Sequence, residues 1–243
     1  MLLKACLNGA RRPGTHDQLP ITPEECAREG AAAVGAGAAA LHVHIRGSDG
    51  LETFDAAHVG ASLDAMRAAV TVPIGVSTGA WVIPDPAERV AAIRRWTTQP
   101  DFASVNFHED GAADVAGVLI DQGVGVEAGL WNADSARALI ASGLAQKCLR
   151  IMLEPIEPDL VVALETIAGL DDALDGVAPD VPRLLHGHGA TAWAVLALAG
   201  ERGEDSRIGL EDTLTLPDGT PARDNADLVQ AGLRILGPTA RAS

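Results

Sequence analysis

The chain has 243 residues, 47% hydrophobic and 21% charged, a composition that suits a globular protein with a sizeable core and excludes a disordered one. Its 33 acidic side chains against 18 basic ones, a net charge of −15, argue against nucleic acid or an anionic membrane as partner, since both demand a broad basic face. The three cysteines, Cys6, Cys26 and Cys148, are widely spaced and form no CxxC pair, which excludes a disulfide scaffold or zinc ribbon and suggests a reducing cytoplasm.

The chain opens on an apolar run, expected as a strand at 2–8, with no signal-peptide core before it. A helix follows at 22–35, where Thr22 precedes Pro23 and two glutamates: a capping residue, a proline at the first turn, and acids at the positive end of the dipole. Further strands are expected at 39–46, 72–78, 102–107, 123–130, 147–154, 183–189 and 206–211. Helical periods fall between and after them, at 56–69, 86–97, 112–122, 133–142, 159–167, 191–198 and 225–236. The apolar stretches at 31–40 and 192–199 are too short and too rich in Ala and Gly to span a bilayer. Eight strands alternating with eight helices predict an α/β chain folded as one (β/α)8 TIM barrel over 1–243, with a short C-terminal tail. A doubly wound open sheet uses the same units and is the alternative.

The most informative segment is Leu41-His42-Val43-His44-Ile45-Arg46. Side chains alternate along a strand, so His42 and His44 share a face, and two adjacent imidazoles suit a divalent metal, zinc above all. The plain alternative is two hydrogen-bonded histidines on a buried strand. A barrel builds its site at the C-terminal strand ends, and polar residues gather at every expected end: Asn8, His44, Thr78, Asn106, Glu127, Glu154, His186 with His188, and Glu211. In a regular final strand Arg207, Gly209 and Glu211 share a face, and Glu211 at the mouth completes a two-histidine, one-carboxylate ligand set. Asp212, kept ionised by Arg207, suits a base; a structural salt bridge closing the barrel is the competing reading.

Several pieces in order, Asn8-Gly9-Ala10, Leu19-Pro20-Ile21-Thr22-Pro23-Glu24-Glu25, the His42/His44 segment, Ser77-Thr78-Gly79 and Gly209-Leu210-Glu211-Asp212, resemble the β-keto acid cleavage enzymes, the family of 3-keto-5-aminohexanoate cleavage enzyme. The resemblance runs from about residue 3 to Leu236. It implies a zinc-dependent (β/α)8 barrel that takes a β-keto acid and acetyl-CoA and yields acetoacetate and the CoA ester of the remaining acyl group. By position it implies His42, His44 and Glu211 as ligands of Zn2+, and Arg207 with Asp212 as the pair assigned to base chemistry. Ser77 and Ser104 match hydroxyl residues near the reacting carbons, the second usually Thr, and Asn106 faces the substrate.

Arg11 departs from the resemblance. A glutamate suited to a substrate ammonium stands there in the aminohexanoate enzyme; a cation instead repels an amino substrate and favours an anionic or neutral one. Surface charge is the plain reading of Arg11 and Arg12. His186-Gly187-His188-Gly189 follows the seventh strand, where barrels bind phosphate, and a hydrogen-bonding role near the site is expected of it. Two other functions use the same residues: metal-dependent aldol cleavage or decarboxylation of a keto acid without CoA, and non-catalytic binding of a small anionic metabolite. Trp81 and Trp131 suit contacts in a homo-oligomer.

Overall fold

The computed structural model describes residues 1–237; the expected C-terminal tail, at 238–243, lies outside the described residues. Strand β1 (Leu3–Cys6) pairs in parallel with β2 (Ala40–Val43) on one side and β8 (Ser206–Ile208) on the other. From β2 the ladder continues through β3 (Ile74–Ser77), β4 (Phe102–Asn106), β5 (Gly125–Leu130), β6 (Arg150–Leu153) and β7 (Arg183–Leu185). Leu184 of β7 bridges Asp205, just before β8, and closes the ring: Leu185 N–H donates to Asp205 O at 2.9 Å and Asp205 N–H to Arg183 O at 3.1 Å. An open sheet would leave two free edges, so the architecture is the (β/α)8 barrel.

Among the described residues, the eight α-helices are α1 (Pro23–Gly35), α2 (Ala56–Ala69), α3 (Pro86–Arg94), α4 (Ala112–Asp121), α5 (Ala133–Ser142), α6 (Leu160–Ala173), α7 (Ala192–Arg202) and α8 (Asn225–Leu236). Thr22 and Glu25 form a capping box on α1, and Asn132 and Asp224 cap α5 and α8 by accepting from Ser135 N and Asp227 N. None of these helices is long and apolar enough to cross a membrane. The cysteines are free and buried.

The strands are shorter than their apolar runs predict, and two of the early endings shape the barrel mouth. β2 stops at Val43 rather than at 46, yet His44 keeps its direction because the Asn8 side chain replaces the missing ladder partner. Asn8 Oδ1 accepts from His44 N–H at 2.8 Å, and Asn8 Nδ2 donates to His44 O at 2.9 Å. β8 stops at Ile208 rather than at 211. Beyond it the chain runs against β1 so closely that a Cβ on Gly209 would lie 2.0 Å from Cys6 O. Asp212 and Thr213 N–H then turn back onto Gly209 O at 2.9 and 3.1 Å. Gly209→Ala must push β8 off β1, and we expect it to cost about 3 kcal/mol or more in a denaturant titration. A loss below 0.5 kcal/mol would show that the contact is soft.

Inside the barrel, the buried Lys4 ammonium pairs with Glu127, and Arg150 reaches Glu127 at 2.5 Å and Asp205 at 3.1 Å. Glu127 lies midway along β5, not at the strand mouth as expected. Burial opposes its ionisation, but Lys4 and Arg150 hold its carboxyl below the usual range. This network fills the barrel under the site.

Candidate active site

His42 is the last residue of β2 in register with β1, and His44 follows on the Asn8 bracket, so both imidazoles face the barrel mouth with ring centroids 5.3 Å apart. The turn after β8 brings Glu211 to them: its Oε2 lies 3.8 Å from His42 Nε2 and 3.7 Å from His44 Nε2. Around a tetrahedral zinc with bonds of about 2.0–2.1 Å, donors sit about 3.4 Å apart, so a slight rotation of these side chains makes the set fit. Glu211 Oε2 is buried without a hydrogen bond, and so is His42 Nδ1. Burial keeps His42 neutral, its pKa well below the ordinary value. Burial also opposes ionisation of Glu211, but Arg207 foremost, with His44 and His42, holds its carboxyl well below the usual range.

Glu52 was not foreseen. A turn at 47–50, with Gly50 at φ 77°, folds the loop after β2 back so that Glu52 meets His44. His44 Nδ1 donates to Glu52 Oε2 at 2.7 Å, which leaves Nε2 as the free ligand atom, and Trp81 Nε1 donates to Glu52 Oε1 at 3.1 Å while its ring stacks on His44. Burial works against a charged His44, but Glu211 and Glu52 outweigh it and push its pKa up to about 9. Glu52→Gln is expected to weaken metal binding about 10- to 100-fold in a competition titration with a chromophoric chelator. Unchanged affinity would reduce Glu52 to a support for Trp81.

Arg207 and Asp212 meet for a reason that strand alternation does not supply, since odd and even positions point to opposite faces. The turn on Gly209 swings both acids round: Arg207 Nη2 donates to Glu211 Oε1 at 2.5 Å and to Asp212 Oδ1 at 2.7 Å, and Arg207 Nε donates to the same Oδ1 at 3.1 Å. Burial disfavours the guanidinium, yet Asp212 in particular raises its pKa well above the ordinary value. Asp212 Oδ2 remains buried with no hydrogen bond.

The mouth opens into a cavity of about 500 Å³ lined by His42, His44, Glu211, Arg207, Ser77, Ser104, Asn106 and Arg11, among others. Asp212 stands just behind Arg207 rather than on the wall. Ser77 and Ser104 are register partners on β3 and β4, and Asn106 ends β4, where Glu109 accepts from its Nδ2 at 2.9 Å. Arg11 is anchored by its Nε on Leu210 O; its Nη groups have no hydrogen-bond partner among the described residues. Arg12 is exposed.

Other residues share the cavity. Trp81 and Trp131, expected at subunit contacts, line it, as do Met152, Ile156, Glu154 and His188. His108 stacks on Trp131 at 3.9 Å, Glu109 also pairs with Arg89, and His16 and His58 lie in ordinary side-chain contacts away from the mouth. Polar strand ends marked Glu154 and His188, but only the three-dimensional arrangement shows which ends converge.

The chain was compared with known proteins. A family model for beta-keto acid cleavage enzyme matches residues 1–242. The 3-keto-5-aminohexanoate cleavage enzyme of Fusobacterium nucleatum is 26% identical over 251 residues, covering 97% of this chain and 90% of that one; its counterpart from Acetoanaerobium sticklandii is 25% identical, covering 97% and 91%. Among solved structures, a binary complex of ObcA with oxaloacetate superposes with TM-score 0.66 at 19% identity, covering 88% of this chain. This chain spans 62% of the ObcA chain's length. A ternary complex of ObcA with a C4-CoA adduct and oxalate gives TM-score 0.64 at the same identity and coverage. ObcA at this identity supports the barrel fold alone, whereas the full-length family match settles kinship: the chain belongs to the beta-keto acid cleavage enzymes, which break a carbon–carbon bond.

Proposed function

We propose that this enzyme condenses a β-keto acid with acetyl-CoA, releasing acetoacetate and the CoA ester of the remaining acyl group, at a Zn2+ ion held by His42, His44 and Glu211. The observation that carries the reading is the unbonded Glu211 Oε2, which two imidazole Nε2 atoms approach at 3.7 and 3.8 Å on the cavity wall. When bound there, a divalent cation supplies Lewis-acid stabilisation of negative charge building on a keto oxygen. The chain's own residues do the rest. Arg207 holds Glu211 in place and presents its guanidinium to the cavity. Asp212 fixes that guanidinium through Oδ1 and keeps Oδ2 as the atom with a lone pair for a proton. Ser77 and Ser104 orient carbonyl groups from adjacent strands, and Asn106, steadied by Glu109, contacts the substrate.

Arg11 directs the substrate choice in this proposal. Its unused Nη donors are aimed at an anionic group, so a β-keto acid carrying a second carboxylate is favoured over one carrying an ammonium. The ObcA complexes, with oxaloacetate and with a C4-CoA adduct, support small anionic keto acids and CoA as ligands of such a barrel. A panel of β-keto acids with acetyl-CoA, scored for acetoacetate, tests this. We expect turnover only with acetyl-CoA, the highest kcat/KM on a dicarboxylic substrate, and an increase of about 10- to 100-fold in its KM in Arg11→Met, the worth of one hydrogen bond to a charged group. Product without acetyl-CoA would favour aldol cleavage or decarboxylation, and a stable complex without product would favour a sensor.

We take the chain as one barrel domain working in the cytoplasm. Exposed Val161, Val162 and Leu164 along α6 support pairing with a second copy.

A further inference from the structure

A second group of ligand-type side chains lies beside the first and has no part in the mechanism above. Glu154 follows β6, and His186 and His188 follow β7; their ligand atoms all lie within 4.8 Å of one another. His186 Nε2 is 3.1 Å from Glu154 Oε2 but off the line of a hydrogen bond, and neither ring nitrogen of this fully buried histidine is hydrogen-bonded. Glu154 Oε1 is buried and unpartnered as well. Unpaired buried polar atoms are costly, and native interiors rarely leave three so close together.

The backbone makes room for this arrangement. A Cβ on Gly129 of β5 would lie 2.3 Å from Glu154 Oε1, so only glycine lets the carboxylate turn inward there. Charge points the same way. Arg207, which lines the same cavity, is already committed to Glu211 and Asp212. The one ion-pair partner of Glu154 among the described residues is His186, whose two ring nitrogens are themselves without a hydrogen bond. His188, whose side chain is 34% exposed, and Glu154 both line the cavity, which provides an entry path.

We infer that Glu154, His186 and His188 form a second metal site on the wall between β6 and β7, one that takes a first-row divalent cation. Two imidazole donors select Zn2+ or Co2+ over Mg2+ and Ca2+, which prefer oxygen ligands. The site does not depend on the zinc assignment at His42, His44 and Glu211.

The test is metal stoichiometry on the full chain. Metal-stripped protein is titrated with Co2+, followed by its visible absorption, and Zn2+ content is measured by mass spectrometry after gel filtration. The wild type is expected to bind two equivalents, and His188→Gln and Glu154→Gln one each with the remaining Co2+ spectrum unchanged. His42→Ala is expected to lose the other equivalent only. His188→Gln alters a partly exposed side chain; should it fail to fold by circular dichroism, Glu154→Gln decides. Wild-type stoichiometry in a folded variant of either residue overturns the inference, whatever His42→Ala does. Loss of one equivalent in these variants but none in His42→Ala would uphold the second site and overturn the first.

Discussion

His42→Ala is expected to purify folded, to hold no metal at the His42/His44/Glu211 site, and to lose about a thousandfold or more in kcat/KM. His42 suits the test because neither the β1–β2 ladder nor any hydrogen bond depends on its ring, whose Nδ1 is unbonded. His44 is less clean, since its ring is also tied to Glu52 and stacked on Trp81. Deleting one of three protein ligands removes retention of the ion at ordinary concentrations. With the ion go several kcal/mol of charge stabilisation on the keto oxygen, at about 1.4 kcal/mol per factor of ten in rate. Metal content and acetoacetate formation, measured on one preparation, check both halves. A folded variant with full metal at this site and undiminished turnover would remove the ion from the mechanism.

Asp212→Asn is expected to lower kcat by about 10²- to 10⁴-fold while metal content stays the same. Asparagine keeps an Oδ1 that can accept both Arg207 donors, which span 2.7 and 3.1 Å in the wild type, so the guanidinium stays close to its place. What disappears is the negative charge and the free lone pair on Oδ2. A kcat within about threefold of wild type, with only KM changed, would remove Asp212 from the proton path.

The residues that carry these tests were legible to different degrees in the sequence. His42 and His44 stood out because an alternating pair inside an apolar run has few other uses, and the barrel followed from eight strand–helix units. The helix start at Thr22 was readable because capping is local chemistry. Strand ends were not, because apolar runs continue past the last ladder bond: at β2 the Asn8 side chain, two residues beyond β1, replaces the ladder, and at β8 a glycine turn ends it. Regular alternation accounted for Glu211 beside Arg207, and the Arg207–Asp212 pair was expected as well, but the turn on Gly209 that brings the two together was not. Glu52 was missed because its contact with His44 depends on the turn at 47–50. Glu154, His186 and His188 follow the paired strands β6 and β7, and their side-chain convergence depends on the loops beyond those strand ends.

The Asn8 bracket has a consequence for changing what this enzyme accepts. Asn8 sits three residues before Arg11, and it fixes the backbone of His44 with two hydrogen bonds. Arg46, two residues after His44, donates back to Gly9 O and, at 2.9 Å, to Arg11 O. The segment proposed to select substrate charge and the segment proposed to grip the ion are thus stitched into one unit. Grafting a foreign first loop to alter preference will disturb the metal grip unless asparagine and its arginine counterpart travel with it, so selectivity and metal geometry in this barrel are inherited together.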